Sequence, residues 1–97
     1  MNQDEEAQLT QELQRSTDAE IVLNNKEFKR AFEDYTNELI NEIKRTKWEE
    51  TNKREEIYRQ LKSLGTVEAK LTRCIQTGKM AKQQLSLLKQ AKNLIGD

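Results

Sequence analysis

Apolar residues recur along this chain in steps of three or four, and the steps divide it into segments. Phe28, Phe32, Tyr35, Leu39 and Ile43 form one row, and Ile57, Leu61, Leu64, Leu71 and Ile75 form a second. Each row occupies one side of an α-helix, and such a stripe has to be buried against another surface. Two amphipathic helices joined by a short polar stretch predict an antiparallel hairpin, about 26–46 and 53–77. A third pattern, Met80, Ala81, Leu85, Leu88, Ala91 and Leu94 or Ile95, predicts a C-terminal amphipathic helix or arm over about 79–95.

Upstream the periodicity is weaker. Leu9 and Leu13 make a single i, i+4 pair, and residues 1–8 read as a frayed polar end. Thr17 with Glu20 matches a capping box, and Ile21, Val22 and Leu23 follow at once. Residues 17–23 therefore predict a short helix or turn whose apolar side chains cover one end of the hairpin. The fold class is all-α. Its parts are an acidic N-terminal segment (1–24), a helical hairpin (25–78) and a C-terminal amphipathic helix (79–97).

Local signals set the expected boundaries. Asn25 suits an N-cap, because its side-chain oxygen can accept from the open amides of a first turn. Glu27 then lies near the positive end of the helix dipole. Trp48 stands at the end of the first arm, where a large ring can close the apolar layer over the turn. Glu49 to Asn52 is the expected connection, with Thr51 or Asn52 capping the second arm. Gly65 falls inside that arm at a cost of roughly 1 kcal/mol relative to alanine, which points either to a close backbone approach or to a kink. Gly78 follows Thr77 and reads as a C′ glycine that ends the helix in a left-handed cap.

Composition narrows the function classes. The 97 residues are 34% hydrophobic and 35% charged, with no proline and three glycines. Mean hydropathy is −1.01. That balance suits extended helices and leaves too little apolar mass for a large enclosed core. Net charge is zero but unevenly spread. Residues 1–20 carry six acids against Arg15, and residues 79–97 carry Lys79, Lys82, Lys89 and Lys92 against Asp97. The two ends are of opposite sign and can pair within a chain or between subunits, or stay as solvated faces. One cysteine, Cys74, excludes an internal disulfide and fits a reducing compartment. No apolar run is long enough to span a bilayer, and the acidic start is unlike a signal or transit peptide. The expected setting is the cytoplasm of the cell that makes the protein.

Chemistry finds little to stand on. There is no histidine, and Cys74 sits between Leu71 and Ile75 as a packing thiol without an imidazole partner. The glutamates near the turn interleave with Lys53, Arg54 and Arg59, which makes an ion-paired face rather than a carboxylate site. No glycine loop is present that could cradle phosphate. The expectation is a protein that is not an enzyme, with no cofactor, no metal and no small-molecule substrate. Lys44, Arg45, Lys47, Lys53, Arg54 and Arg59 gather round Trp48 and Tyr58 as a candidate nucleic-acid contact, but four glutamates in the same window dilute them.

Assembly is the class that remains. Hairpin arms of about 22 residues, roughly 33 Å long, expose more apolar surface than they can cover alone. Completion by a second copy, by a larger protein, or by residues 79–95 folding back as a third helix would satisfy them. Composition favours the extended use of that segment, with Met80, Leu85, Leu88, Ala91 and Ile95 as its contact residues.

Several stretches also carry a likeness. Asn25-Lys-Glu-Phe28, Ala31-Phe32, Leu39-Ile40, Trp48, Arg54-Glu55-Glu56-Ile57-Tyr58, Leu61-Lys62-Ser63-Leu64 and Thr77-Gly78-Lys79-Met80-Ala81 resemble a family of small helical accessory proteins. That family is encoded in the virion-structure and packaging region of tailed-phage genomes, and the likeness covers residues 25–81. The tryptophan here stands closer to the end of the first helix, and the turn lacks the family's proline and aspartate. The resemblance implies a non-catalytic virion or head-assembly component, acting in the host cytoplasm or within the particle. Its implied partners are its own copies or a larger phage structural protein.

Overall fold

The computed structural model describes residues 3–95, so Met1, Asn2, Gly96 and Asp97 lie outside the described residues. Three helices account for nearly all of them: α1 (Gln3–Asn24), α2 (Lys26–Arg45) and α3 (Thr51–Ile95). No strand occurs among the described residues.

Helix α2 begins and ends where its side chains can satisfy the backbone. Asn25 is extended, and its Oδ1 accepts from the Phe28 amide at 2.8 Å. At the other end Thr46 leaves the helix, with its amide and hydroxyl both donating to the Ile43 carbonyl. Glu50 precedes α3: its carbonyl accepts from the Arg54 amide at 3.2 Å and its side chain from the Lys47 amide at 2.8 Å, so the expected caps Thr51 and Asn52 lie inside the helix.

Helix α1 is much longer than the expected turn over 17–23. The Thr17 hydroxyl, expected as a cap, does not break it: it donates to the Leu13 carbonyl one turn back, as Thr10 does to the Glu6 carbonyl. Asp4, Glu5 and Glu6 occupy its first turn, where the helix dipole favours negative charge.

Helix α3 runs through Gly78 without interruption, so residues 79–95 continue the helix begun at Thr51. Gly78 is therefore not a C-terminal cap. It is buried, and a Cβ built there would fall on the Cβ and Oγ of Ser16 and within 3.4 Å of the Glu12 carbonyl. The residue is small because α1 lies against it. At Gly65, by contrast, a Cβ would meet nothing within 4 Å, and α3 is unbroken there too.

The chain divides into two compact units. In one, α1 as far as Val22 packs with α3 from Leu71 onward. Leu9, Ser16 and Ala19 are its buried α1 residues, and Gly78 and Ala81 are its buried α3 residues. Arg15 meets Cys74, Ser16 meets Ile75, and Glu6 meets Lys92, so the two segments run antiparallel. Small residues at the contact allow the backbones to come close. In the other unit, α2 packs with α3 up to Lys70. Leu39 is 2% exposed there and Ile57 is buried, with Phe28, Phe32, Ile43, Leu61 and Leu64 half-buried around them. The Phe28 and Phe32 rings lie 5.7 Å apart in a tilted pair.

Candidate association surfaces

The residues expected to form one hairpin core fall into different settings. Phe28, Phe32, Leu39, Ile43, Ile57, Leu61 and Leu64 belong to the α2-containing unit. Leu71 and Ile75 belong to the unit that contains α1, and both are half-buried there. Helix length explains the split: α2 has 20 residues, and the stretch of α3 in its unit, Thr51–Lys70, matches that length. Beyond Lys70, α3 belongs to the unit that contains α1.

Two aromatic residues lie outside the layer expected to hold them. Tyr35 is 43% exposed and Trp48 is 87% exposed. Trp48 does not close the turn, because Arg54 does. The Arg54 guanidinium donates to the carbonyls of Lys47 and Trp48 and to the Thr46 hydroxyl, tying the start of α3 to the residues that follow α2. Charge-assisted bonds to backbone carbonyls are among the stronger contacts a surface residue can make, and the Lys47 carbonyl also accepts from the Glu50 amide at 2.9 Å.

Two of the remaining basic candidates are also engaged. Lys53 lies 3.9 Å from Glu50, and Arg59 contacts Glu55 at 3.9 Å and Glu56 at 2.6 Å. Lys44, Arg45 and Lys47 stay exposed beside Trp48 in sequence. The acidic and basic ends, read as able to pair or to stay solvated, meet between Glu6 and Lys92 at 3.4 Å. Both side chains are largely solvated, so the contact is worth at most ~1 kcal/mol. Cys74 is half-buried, with Arg15 Nη2 donating to its sulfur at 3.9 Å.

The C-terminal residues separate by face. Leu85 and Leu88 are half-buried, in heptad step with Gly78, Ala81 and Leu71 along the side that meets α1. Met80, Ala91 and Ile95 are exposed, and so are Leu87 and Leu94, which the contact set read from the sequence omitted or left as an alternative. Two open grooves flank these packed surfaces. One, of about 400 Å³, is lined by Glu5, Leu9, Glu12, Thr77, Met80 and Gln84 among others. The other, of about 470 Å³, lies in the α2 unit between Phe32 and Thr36 on one helix and Leu61, Leu64 and Gly65 on the other.

No helix is long and apolar enough to cross a membrane among the described residues. No group of three or more His, Cys, Asp or Glu side chains that could hold a metal ion occurs among them either.

Sequence reasoning missed Ser16 and Ala19 as contact residues because their side chains are short and mildly polar. Ser16, seven residues from both Leu9 and Leu23, and Ala19, three residues after it, keep the step of that stripe, which was the available signal. No protein-family model, curated protein or solved structure matches the chain.

Proposed function

We propose that this protein is a non-catalytic assembly component that works by helix-mediated protein–protein association, primarily with copies of itself. In this reading α2 and the first part of α3 act as an antiparallel hairpin that presents side chains to a partner. The observation that carries it is how little the fold buries. The buried apolar residues among those described are Leu9, Ala19, Leu39, Ile57 and Ala81, two of them alanines. Meanwhile Trp48, Met80, Leu87, Leu94 and Ile95 stand mostly in solvent. Apolar surface left open in this quantity marks interaction sites in soluble proteins.

The phage setting rests on the resemblance over residues 25–81. It makes the protein a virion structural or head-assembly and packaging component, alone or with a larger phage structural protein. A second reading is a small binding module that contacts DNA during packaging or inhibits a host protein. Exposed Trp48 next to exposed Lys44, Arg45 and Lys47 favours its DNA form.

Titrating duplex DNA against the Trp48 fluorescence at low and high salt separates the two. Association through apolar faces predicts no binding that weakens steeply with salt. A strong fluorescence change at low salt that disappears at high salt would favour the DNA-binding module.

A further inference from the structure

On α3 beyond Gln76, the charged residues avoid one face. Met80, Leu87 and Leu94 repeat every seven residues and are 62%, 64% and 88% exposed. At about 100° per residue they form a single row, with Gln83, Gln84 and Gln90 on its flanks. Lys82, Lys89 and Lys92 fall more than about 120° from that row, and Lys79 stands at its margin, roughly 80° away. In a chain that is 35% charged, an uncharged stripe along most of three heptads is a distinct feature. It is not the surface that meets α1, which uses Leu71, Gly78, Ala81, Leu85 and Leu88.

We infer that this stripe is the seam of a parallel two-stranded coiled coil between two copies of the chain. Three observations select a second copy as the occupant. Met80, Leu87 and Leu94 supply the apolar residue at one of the two seam positions of each heptad, with Gln83 and Gln90 at the other, and that seven-residue step keeps the row facing a partner helix of the same kind. Glutamine amides both donate and accept, so Gln83, Gln84 and Gln90 are complementary to themselves, whereas a charged row would repel its copy. The margins are of opposite sign: Lys79 lies on one side, and on the other Glu12 of α1 borders the groove that contains Met80 and Gln84. A twofold axis parallel to α3 brings each Lys79 toward the Glu12 of the other copy at the same height. An antiparallel pairing would not. Because α3 is already ordered by α1, pairing carries none of the nucleation cost that makes short isolated coiled coils marginal.

This inference rests on the self-association reading and adds its surface and direction. The test is sedimentation equilibrium of the wild type, Leu87→Glu and Lys89→Glu over a concentration series, with circular dichroism to confirm equal helicity. The wild type should dimerise. Leu87→Glu should weaken dimerisation at least about a hundredfold, since two buried leucines are lost per dimer, while Lys89→Glu leaves it unchanged. In a Cys74→Ser background, Met80→Cys should form a disulfide dimer with itself. A dimer indifferent to Leu87→Glu overturns this seam and leaves self-association standing. Cross-linking only between mixed Met80→Cys and Leu94→Cys chains overturns the parallel direction. A wild type that stays monomeric overturns both the seam and self-association.

Discussion

Two glycines in one helix should respond to the same substitution with opposite signs. Gly65→Ala adds a methyl where nothing stands within 4 Å. It keeps the gain in helix propensity and the reduced entropy of the unfolded chain, about 0.5–1 kcal/mol of added stability. Gly78→Ala offers the same intrinsic gain but sets its Cβ onto the Cβ and Oγ of Ser16. Carbon atoms prefer separations of about 3.5–4 Å, so α1 and α3 would have to part locally by more than about 1 Å. Parting loosens the contacts of Leu9, Ala19 and Ala81, and overpacking of this kind typically costs about 1–3 kcal/mol beyond the propensity gain. The expected outcome is Gly65→Ala more stable than wild type and Gly78→Ala less stable by about 2 kcal/mol. For a domain of this size that corresponds to a midpoint shift of roughly 8–16 °C downward. Urea unfolding followed by circular dichroism, with thermal melts in parallel, reads both variants. A Ser16→Gly/Gly78→Ala double variant moves the methyl from one helix to the other and should recover part of the loss, a coupling above about 1 kcal/mol. If Gly78→Ala is stabilised as much as Gly65→Ala, α1 does not lie against Gly78 and the packing described for that unit is wrong.

Further substitutions test individual features. Asn25→Ala removes the acceptor for the Phe28 amide and should cost about 1 kcal/mol in urea unfolding, with Asn25→Asp restoring most of it. Arg54→Ala releases the Lys47 and Trp48 carbonyls and should cost about 1–2 kcal/mol. Arg54→Lys should recover only part of that, because one ammonium cannot reproduce the guanidinium fork. Trp48→Ala should change the stability of the isolated chain by less than about 0.5 kcal/mol, since the ring is 87% exposed. Loss of more than that in a melt would place the ring in a packed layer after all.

Large apolar side chains at helical spacing were the legible part of this chain. Leu39 stands out because Tyr35 and Ile43 flank it at i±4, and Ile57 because Leu61 and Leu64 follow at i+4 and i+7, while the Asn25 cap is a local signal that needs no partner. The extent of α1 was not legible. Its contact residues Ser16 and Ala19 are small, and their value lies in the Gly78 and Ala81 positions opposite, more than fifty residues away. Gly78 shows the same limit from the other side. A glycine after threonine has one local meaning, a helix end, and one tertiary meaning, a close approach, and only the partner helix distinguishes them. Trp48 misled for a related reason: a large ring beside a turn suggests a lid, yet Arg54 bonds the Lys47 and Trp48 carbonyls and the ring stands in solvent. The exposed row of Met80, Leu87 and Leu94 was half visible, since Met80 belonged to the expected arm while Leu85 and Leu88 proved to face α1.

Self-association is the central claim, and the solution mass of the wild-type chain tests it most directly. Light scattering across a concentration series should give a mass rising from 11.4 kDa toward twice that value as concentration increases. It should change only modestly with salt, because Met80, Leu87 and Leu94 carry the proposed seam and the Lys79 and Glu12 margins are solvated. A mass that stays at 11.4 kDa at every concentration, from a chain whose circular dichroism is fully helical, would contradict the account.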